Sequence, residues 1–284
     1  MTGIYRTVAG ASAVEQRYRQ ILDGWPVPHE RLTVPTREGD TFVVAWGPPD
    51  GPPVLALQGS GANAAMWLRQ APTWAGHLRV YAVDVIGEPG LSAPSRPPLG
   101  GGAYAAWLDD VMQGLGLARA ALVGVSLGGW LALDYATRRP DRVTRLALLN
   151  PSGVGRRKVG VLLAAVLLLP FGRWGRRRML RLALGSEARR GTDSELAGFV
   201  QLIFRHFRPR REVPVFDDDA LRRLTMPVLA VVGGRDAMLD GPATARRLAA
   251  VVPHATVRLL ADAGHLLPDQ AGPVLDFLDG ARPS

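Results

Sequence analysis

The segment Gly124–Gly128, which reads Gly-Val-Ser-Leu-Gly, constrains this chain more than any other. The apolar run Ala120–Val123 precedes it, and the helix-compatible run Leu127–Arg138 follows. In this order of strand, Gly-x-Ser-x-Gly and helix, the serine stands exposed on a sharp, strained turn. Small residues two positions before and after the serine let strand and helix approach closely. The segment therefore predicts a nucleophilic serine, Ser126, at which the positive end of a helix dipole is directed.

Two later strand-like runs each end in a residue that can partner a serine nucleophile. Asp236 follows the run Val228–Val232, and His265 follows the run Thr256–Leu260. The carboxyl ends of parallel strands meet at one edge of a sheet, where the sites of open α/β sheets lie. We therefore expect Ser126 to attack an acyl carbonyl, His265 to take its proton, and Asp236 to orient the imidazole.

Other residues compete for the acid and base roles. Asp240 lies four residues after Asp236; we favour Asp236 because it follows the strand end directly. His254 precedes its strand, which predicts a position at the opposite edge of the sheet. No triad-like setting surrounds the remaining histidines, which are His29, His77 and His206. We interpret the first two as structural and the third as a candidate lining residue of the insertion described below.

With these motifs the chain resembles the serine hydrolases of the α/β-hydrolase fold, and in particular bacterial carboxylesterases. The resemblance runs nearly end to end and is carried by the segments Leu57–Gly61, Tyr81–Gly87, Gly124–Gly129 and Asp262–His265. The order serine, aspartate, histidine is the one this fold uses. The resemblance implies an α/β fold with a mainly parallel sheet, helices on both faces and an inserted helical cap. It says much less about the substrate, because this fold carries many chemistries.

The resemblance also implies an oxyanion hole, made by the backbone N–H groups of Ser60 and Leu127. Gln58 stands where the family usually has histidine. We expect this glutamine to hydrogen-bond within its loop and include it among the candidate substrate-binding residues. The glycine-containing loop Asp84–Ser92 is interpreted as structural.

Apolar runs alternate with helical patterns along most of the chain, which predicts a mainly parallel sheet covered on both faces. The predicted strands are Arg31–Thr36, Thr41–Trp46, Val54–Gln58, Arg79–Asp84, Ala120–Val125, Val143–Leu149, Val228–Val232 and Thr256–Leu260. The predicted helices are a short one within Val14–Trp25, then Ala64–Ala75, Tyr104–Leu115, Leu127–Arg138, Ala243–Val251 and Pro273–Asp279. The alternation assigns residues 1–151 and 214–284 to one core domain.

The insertion, residues 152–213, has its own composition. It holds fourteen basic and four acidic residues, and so contains the whole surplus behind the net charge of +9. Its apolar run Val159–Phe171 is too short to span a bilayer. An all-round apolar helix needs cover on several sides, which predicts a helical cap that faces the site. Leu163 and Leu167 are its candidate substrate-binding residues.

Composition excludes several classes of protein. The absence of cysteine excludes disulfides and thiolate chemistry. The sequence contains no apolar run of 18 residues, so no membrane span is expected. The first twenty residues lack the apolar stretch of a signal peptide, so a cytoplasmic location is expected. Phosphate-loop and clustered metal-ligand motifs are missing. We therefore expect no cofactor, no metal and no nucleic-acid partner.

The sequence thus predicts a serine hydrolase that cleaves small to medium apolar carboxylic esters through an acyl-enzyme. One alternative is a biosynthetic thioesterase or lactone-forming acyl transferase, whose basic cap would dock an acidic carrier protein or coenzyme A. Another is a non-catalytic ligand receptor, which would not need all three triad groups. The cap could also make peripheral contact with an anionic membrane.

Overall fold

The computed structural model describes residues 3–155, 158, 195–210 and 212–280. Eight strands form its sheet: β1 (His29–Val34), β2 (Thr41–Trp46), β3 (Pro53–Leu57), β4 (Arg79–Val83), β5 (Ala120–Val125), β6 (Val143–Leu149), β7 (Val228–Gly233) and β8 (Thr256–Leu260). Their order is β1-β2-β4-β3-β5-β6-β7-β8. The pairs β1–β2 and β2–β4 are antiparallel, and all other pairs are parallel. The prediction of a mainly parallel sheet is confirmed.

The described helices are α1 (Val8–Asp23), α2 (Ala71–Trp74), α3 (Ala103–Gly114), α4 (Leu127–Arg138), α5 (Glu195–His206), α6 (Asp218–Arg222), α7 (Gly241–Val251) and α8 (Ala271–Asp279). Short 3₁₀ turns occupy Ala64–Trp67 and Pro140–Arg142. None of the helices in the described ranges is both long and apolar enough to cross a membrane.

The central strands are buried on both faces, so successive residues enter two different cores. In β3, Leu55 and Leu57 join a core that includes Trp107 of α3 and Leu131 of α4. The alternate residues, such as Val54 and Ala56, join a second core with side chains of α1, α2 and α8. Helices on both faces of the sheet are therefore confirmed, as the alternation of apolar runs predicted.

One predicted helix is wrong in detail. The pattern over Ala64–Ala75 predicts a single helix, whereas the chain forms a 3₁₀ turn over Ala64–Trp67 and a new helix from Ala71. Pro72 stands in the first turn of α2, where its missing N–H costs nothing. In the middle of one continuous helix the same proline would remove a hydrogen bond, which explains the break.

Most of the predicted cap lies outside the described residues, including the run Val159–Phe171 with Leu163 and Leu167. Its last part is described. Helix α5 packs against α1, where the rings of Phe199 and Tyr18 stack at 6.1 Å. The following residues pair with the N-terminal segment through the N–H of Arg208, which donates to Ile4 O at 2.9 Å.

Candidate active site

Ser126 occupies the strained turn that the sequence predicts. It lies between β5 and α4 with φ 51° and ψ −107°, a conformation that costs a non-glycine residue about 1–3 kcal/mol. The two glycines have no room for a side chain. A Cβ on Gly124 would lie 2.4 Å from Gly128 O, and a Cβ on Gly128 would lie 2.1 Å from Leu57 O. The Ser126 N–H donates to Leu149 O at 3.0 Å, which ties the turn to β6.

Asp236 and His265 meet at the same edge of the sheet, just past β7 and β8. Asp236 is fully buried, and its Oδ2 lies 2.7 Å from His265 Nδ1. Its other oxygen accepts the N–H groups of Met238 at 2.7 Å and Leu239 at 3.1 Å. The carboxylate is therefore fixed by its own loop and directed at the imidazole.

The competing residues have other partners. Asp240 caps α7, where its Oδ1 accepts the Ala243 N–H at 3.1 Å. His254 Nε2 lies 3.1 Å from Met226 O, at the amino ends of β7 and β8. His206 packs beside Gly10 of α1, at the crossing of α1 and α5, because a Cβ on that glycine would lie 2.4 Å from the ring.

The nearest hydrogen-bonding neighbour of the Ser126 hydroxyl among the described residues is another serine. Ser126 Oγ lies 3.5 Å from Ser152 Oγ. Among the hydrogen bonds of the described residues, none links Ser126 to His265. Such bonds are often long or misaligned until a substrate is bound. The structure thus brings Asp236 and His265 together and places Ser126 at the same edge of the sheet, at the end of β5, which β6 separates from β7.

Asn150 is a part of this edge that the sequence analysis missed as a site residue. It follows β6, is 1% exposed and has a positive φ of 44°. Its Oδ1 accepts the Gly233 N–H at 2.7 Å, and its Nδ2 donates to Gly264 O at 3.1 Å and His265 O at 2.8 Å. The histidine loop is therefore held across the end of β6. Its place directly after an apolar strand was the available signal.

The loop after β3 lies directly on the serine turn. A Cβ on Gly59 would lie 3.5 Å from Val125 O and 3.6 Å from Ser126 Cβ. The N–H groups of Ser60 and Leu127, the two predicted oxyanion donors, have no acceptor within the part of the chain that the structure describes. Both donors therefore remain available to a ligand.

Gln58, the first residue of this loop, has a buried side chain. It is 1% exposed; with its amide nitrogen toward Val83 O, it donates there at 2.6 Å and accepts the Val85 N–H at 2.7 Å. Both polar ends of the side chain are therefore hydrogen-bonded to backbone groups, one at the end of β4 and one in the loop that follows it. The expected hydrogen bonds are thus made to the end of β4 and the loop after it, and not within the loop of Gln58 itself, and they leave neither polar end free for a substrate.

Two buried carboxylates lie in the loop after β4. Asp84 accepts the N–H groups of Ala64 at 2.8 Å and Leu91 at 2.9 Å and the Tyr18 hydroxyl at 3.0 Å. Burial raises the pKa of Asp84 to about 6, although these donors oppose the shift. Burial also raises the pKa of Glu88. In the described ranges no three His, Asp or Glu side chains come together in a way that could hold a metal ion.

The chain matches a known family over most of its length. The model described as "Alpha/beta hydrolase family" matches residues 54–277. Carboxylesterase YbfK of Bacillus subtilis (strain 168) is 32% identical over 268 residues, which cover 89% of this chain and 87% of that protein.

Solved structures give the same result. The crystal structure of carboxylesterase CesB (YbfK) from Bacillus subtilis superposes with a TM-score of 0.83 at 29% identity, covering 97% of this chain and all of that one. The structure of naproxen esterase (carboxylesterase NP) from Bacillus subtilis also has a TM-score of 0.83, at 26% identity, covering 95% and 96% of the two chains.

Proposed function

This chain belongs to the alpha/beta hydrolase family and is an ester-hydrolysing enzyme, and we propose that it cleaves small to medium apolar carboxylic esters through an acyl-enzyme on Ser126. In this mechanism Ser126 Oγ attacks the acyl carbon while His265 takes the hydroxyl proton and passes it to the leaving alcohol. Asp236 orients the imidazole and stabilises its charged form. Water, activated by the same histidine, then releases the acid.

The observation that carries the proposal is that the strained turn of Ser126 and the buried Asp236–His265 pair lie at the same carboxyl edge of the parallel strands. A serine at positive φ is costly and persists only where the surrounding structure enforces it. The nearby N–H groups of Ser60 and Leu127 would stabilise the oxyanion. One such donor typically lowers the barrier by about 3 kcal/mol.

The apolar nature of the substrate is supported by α5, and the choice of an ester is supported by the names of the relatives. Phe204 of α5 is half-buried beside the oxyanion loop, because a Cβ on Gly61 would lie 3.2 Å from Phe204 Cζ. Both relatives are named as carboxylesterases, which favours an ester over a carrier-linked or coenzyme A thioester. Leu163 and Leu167 remain proposed acyl contacts, and a panel of esters and matching acyl thioesters separates the two substrate classes.

The nucleophile is tested with a fluorophosphonate, which labels activated serines. We expect mass spectrometry to find the label on Ser126. Ser126→Ala should abolish labelling and lower ester turnover about 10⁴-fold or more, as removal of a triad member does. Ser152→Ala is the matched control, because its buried hydroxyl lies only 3.5 Å from that of Ser126. Label on Ser152, or full turnover by Ser126→Ala, would overturn the mechanism.

The acid is tested by a second matched pair. Asp236→Asn should lower turnover about 10⁴-fold without unfolding the protein, because the imidazole loses its orienting carboxylate. Asp240→Asn should change turnover by no more than a few fold, because asparagine also caps helices well. Steady-state kinetics of both variants decide the assignment. A larger loss in Asp240→Asn would transfer the role of the acid to that residue.

A further inference from the structure

Glu88 is a buried carboxylate that the proposed reaction does not use. It lies in the loop after β4, between Gly87 and Pro89, and its side chain is 0% exposed. An ionised carboxylate without water needs charged or hydrogen-bonding partners from the protein. Two of its partners belong to the loop that carries the proposed oxyanion hole, and two others are arginines.

One oxygen of Glu88 holds two consecutive residues of that loop. Oε2 accepts the Ser60 hydroxyl at 3.0 Å and the Gly61 N–H at 2.8 Å. The first bond fixes the side chain of Ser60, and the second fixes the peptide plane that follows it. Together they restrain the backbone torsions of Ser60, and therefore the direction of its N–H. Gly61 has a φ of 73°, so the loop turns in a way that favours glycine.

The other oxygen faces two guanidinium groups. Arg210 Nε lies 3.8 Å and Arg96 Nη2 lies 4.0 Å from Oε1, which has no hydrogen bond among the described residues. Both arginines are held in place, Arg210 by the Tyr104 hydroxyl and Arg96 Nε by Gly87 O at 2.7 Å. Their charge favours the ionised carboxylate and opposes the effect of burial on its pKa.

We propose that Glu88 is a positioning residue for the oxyanion hole. Its carboxylate sets the direction of the Ser60 N–H, and Arg96 and Arg210 supply the positive charge that faces it. The inference rests on the proposed function, because the Ser60 N–H matters for rate only if an oxyanion forms there. A donor aimed at the transition state changes kcat, whereas a residue of the general fold has no such selectivity.

The test begins with fluorophosphonate labelling of the wild-type enzyme; absence of label overturns the proposed function, whatever Glu88 does. Glu88→Gln keeps the size of the side chain and removes its charge. We expect kcat for an ester to fall about 10- to 100-fold with KM nearly unchanged. The affinity for an alkyl trifluoromethyl ketone, whose serine adduct carries the oxyanion, should fall by the same factor.

Glu30→Gln is the control for the same chemical change outside the oxyanion loop, because Glu30 of β1 pairs with Arg79 of β4 at 2.7 Å. It should leave both quantities unchanged. A folded Glu88→Gln with wild-type kcat and ketone affinity overturns the inference, and so does a lower unfolding temperature with kcat retained.

If Glu88→Gln does not fold, Ser60→Ala provides the second test. It removes one donor to Oε2 and keeps the Ser60 N–H. Loss of kcat and ketone affinity by up to about tenfold at constant KM supports the inference. Unchanged values overturn it.

Discussion

Replacement of Asn150 tests how the loop of the proposed catalytic histidine is held. Its side chain joins the end of β6 to Gly233 at the end of β7 and to the carbonyls of Gly264 and His265 after β8. Asn150→Gly removes all three hydrogen bonds and keeps the positive φ of 44° accessible.

The expected magnitude follows from the three bonds. A buried N–H left unpaired, as that of Gly233 would be, costs about 1–3 kcal/mol, and each of the other two bonds contributes about 1 kcal/mol. Asn150→Gly should therefore lower the free energy of unfolding by about 3–5 kcal/mol. Asn150→Ala should cost about 1 kcal/mol more, because a Cβ is disfavoured in the left-handed region. Such losses are a large share of the total of about 5–15 kcal/mol.

The assay is urea denaturation, read as a shift in midpoint at constant slope, together with kcat. We expect kcat to fall in Asn150→Gly because the His265 carbonyl is no longer tethered. Asn63→Ala is the control: Asn63 is equally buried but makes one long hydrogen bond, to the Ala65 N–H at 3.2 Å, from an extended backbone. It should cost about 1 kcal/mol. Equal losses in Asn63→Ala and Asn150→Gly would refute the bridge, and equal losses in the two Asn150 variants would refute the backbone argument.

Two further predictions concern the serine turn and the buried Asp84. Gly128→Ala should lower the free energy of unfolding, measured in urea, by about 3 kcal/mol or more, because its Cβ would lie 2.1 Å from Leu57 O. The control is Gly272→Ala in α8, where the space around the Cα is open, and it should be neutral or stabilising by up to about 1 kcal/mol. Equal effects of the two substitutions would contradict the packing argument. Burial raises the pKa of Asp84 from 3.8 to about 6. The protonated carboxyl therefore stabilises the folded state by about 3 kcal/mol below pH 4, and this contribution is lost as the pH rises through 6. The free energy of unfolding of the wild type should therefore fall relative to that of Asp84→Asn between pH 4 and 6; parallel curves for the two proteins would contradict this.

The strands were the most predictable part of the fold. Four of them, β2, β5, β6 and β8, begin and end where the apolar runs predict. β2 and β5, which are buried along nearly their whole length, are apolar at most positions and are followed by Gly47 and Ser126, so their limits can be predicted from the local sequence. The antiparallel pairing of β1 and β2 at the edge of the sheet cannot be predicted from the local sequence, because an apolar run does not determine the direction of its strand in the sheet.

The candidate nucleophile and its partners were predictable for the same reason. Ser126, Asp236 and His265 each follow a strand end, and the glycines around the serine mark a turn that is local in sequence. Asn150 and Glu88 also follow strand ends, but their partners are distant along the chain. Asn150 bonds to residues 83 and 115 positions away, and Glu88 to residues 27 and 28 positions away. Those contacts depend on the order of the strands, which the pattern alone does not determine.

A physical criterion separates the two kinds of polar residue at this edge. Buried backbone N–H groups in the loops need acceptors, and where no strand-end carbonyl faces them, side chains accept them instead. Both polar ends of Asn150 and both carboxylate oxygens of Asp84 are engaged by hydrogen bonds, which leaves nothing for a substrate. Among the described residues, by contrast, the Nε2 of His265 has no hydrogen bond and the hydroxyl of Ser126 has only a distant neighbour. The Ser126 hydroxyl and His265 Nε2 thus keep the hydrogen-bonding capacity that the proposed proton transfer needs, whereas Asn150 and Asp84 use theirs to hold the surrounding loops.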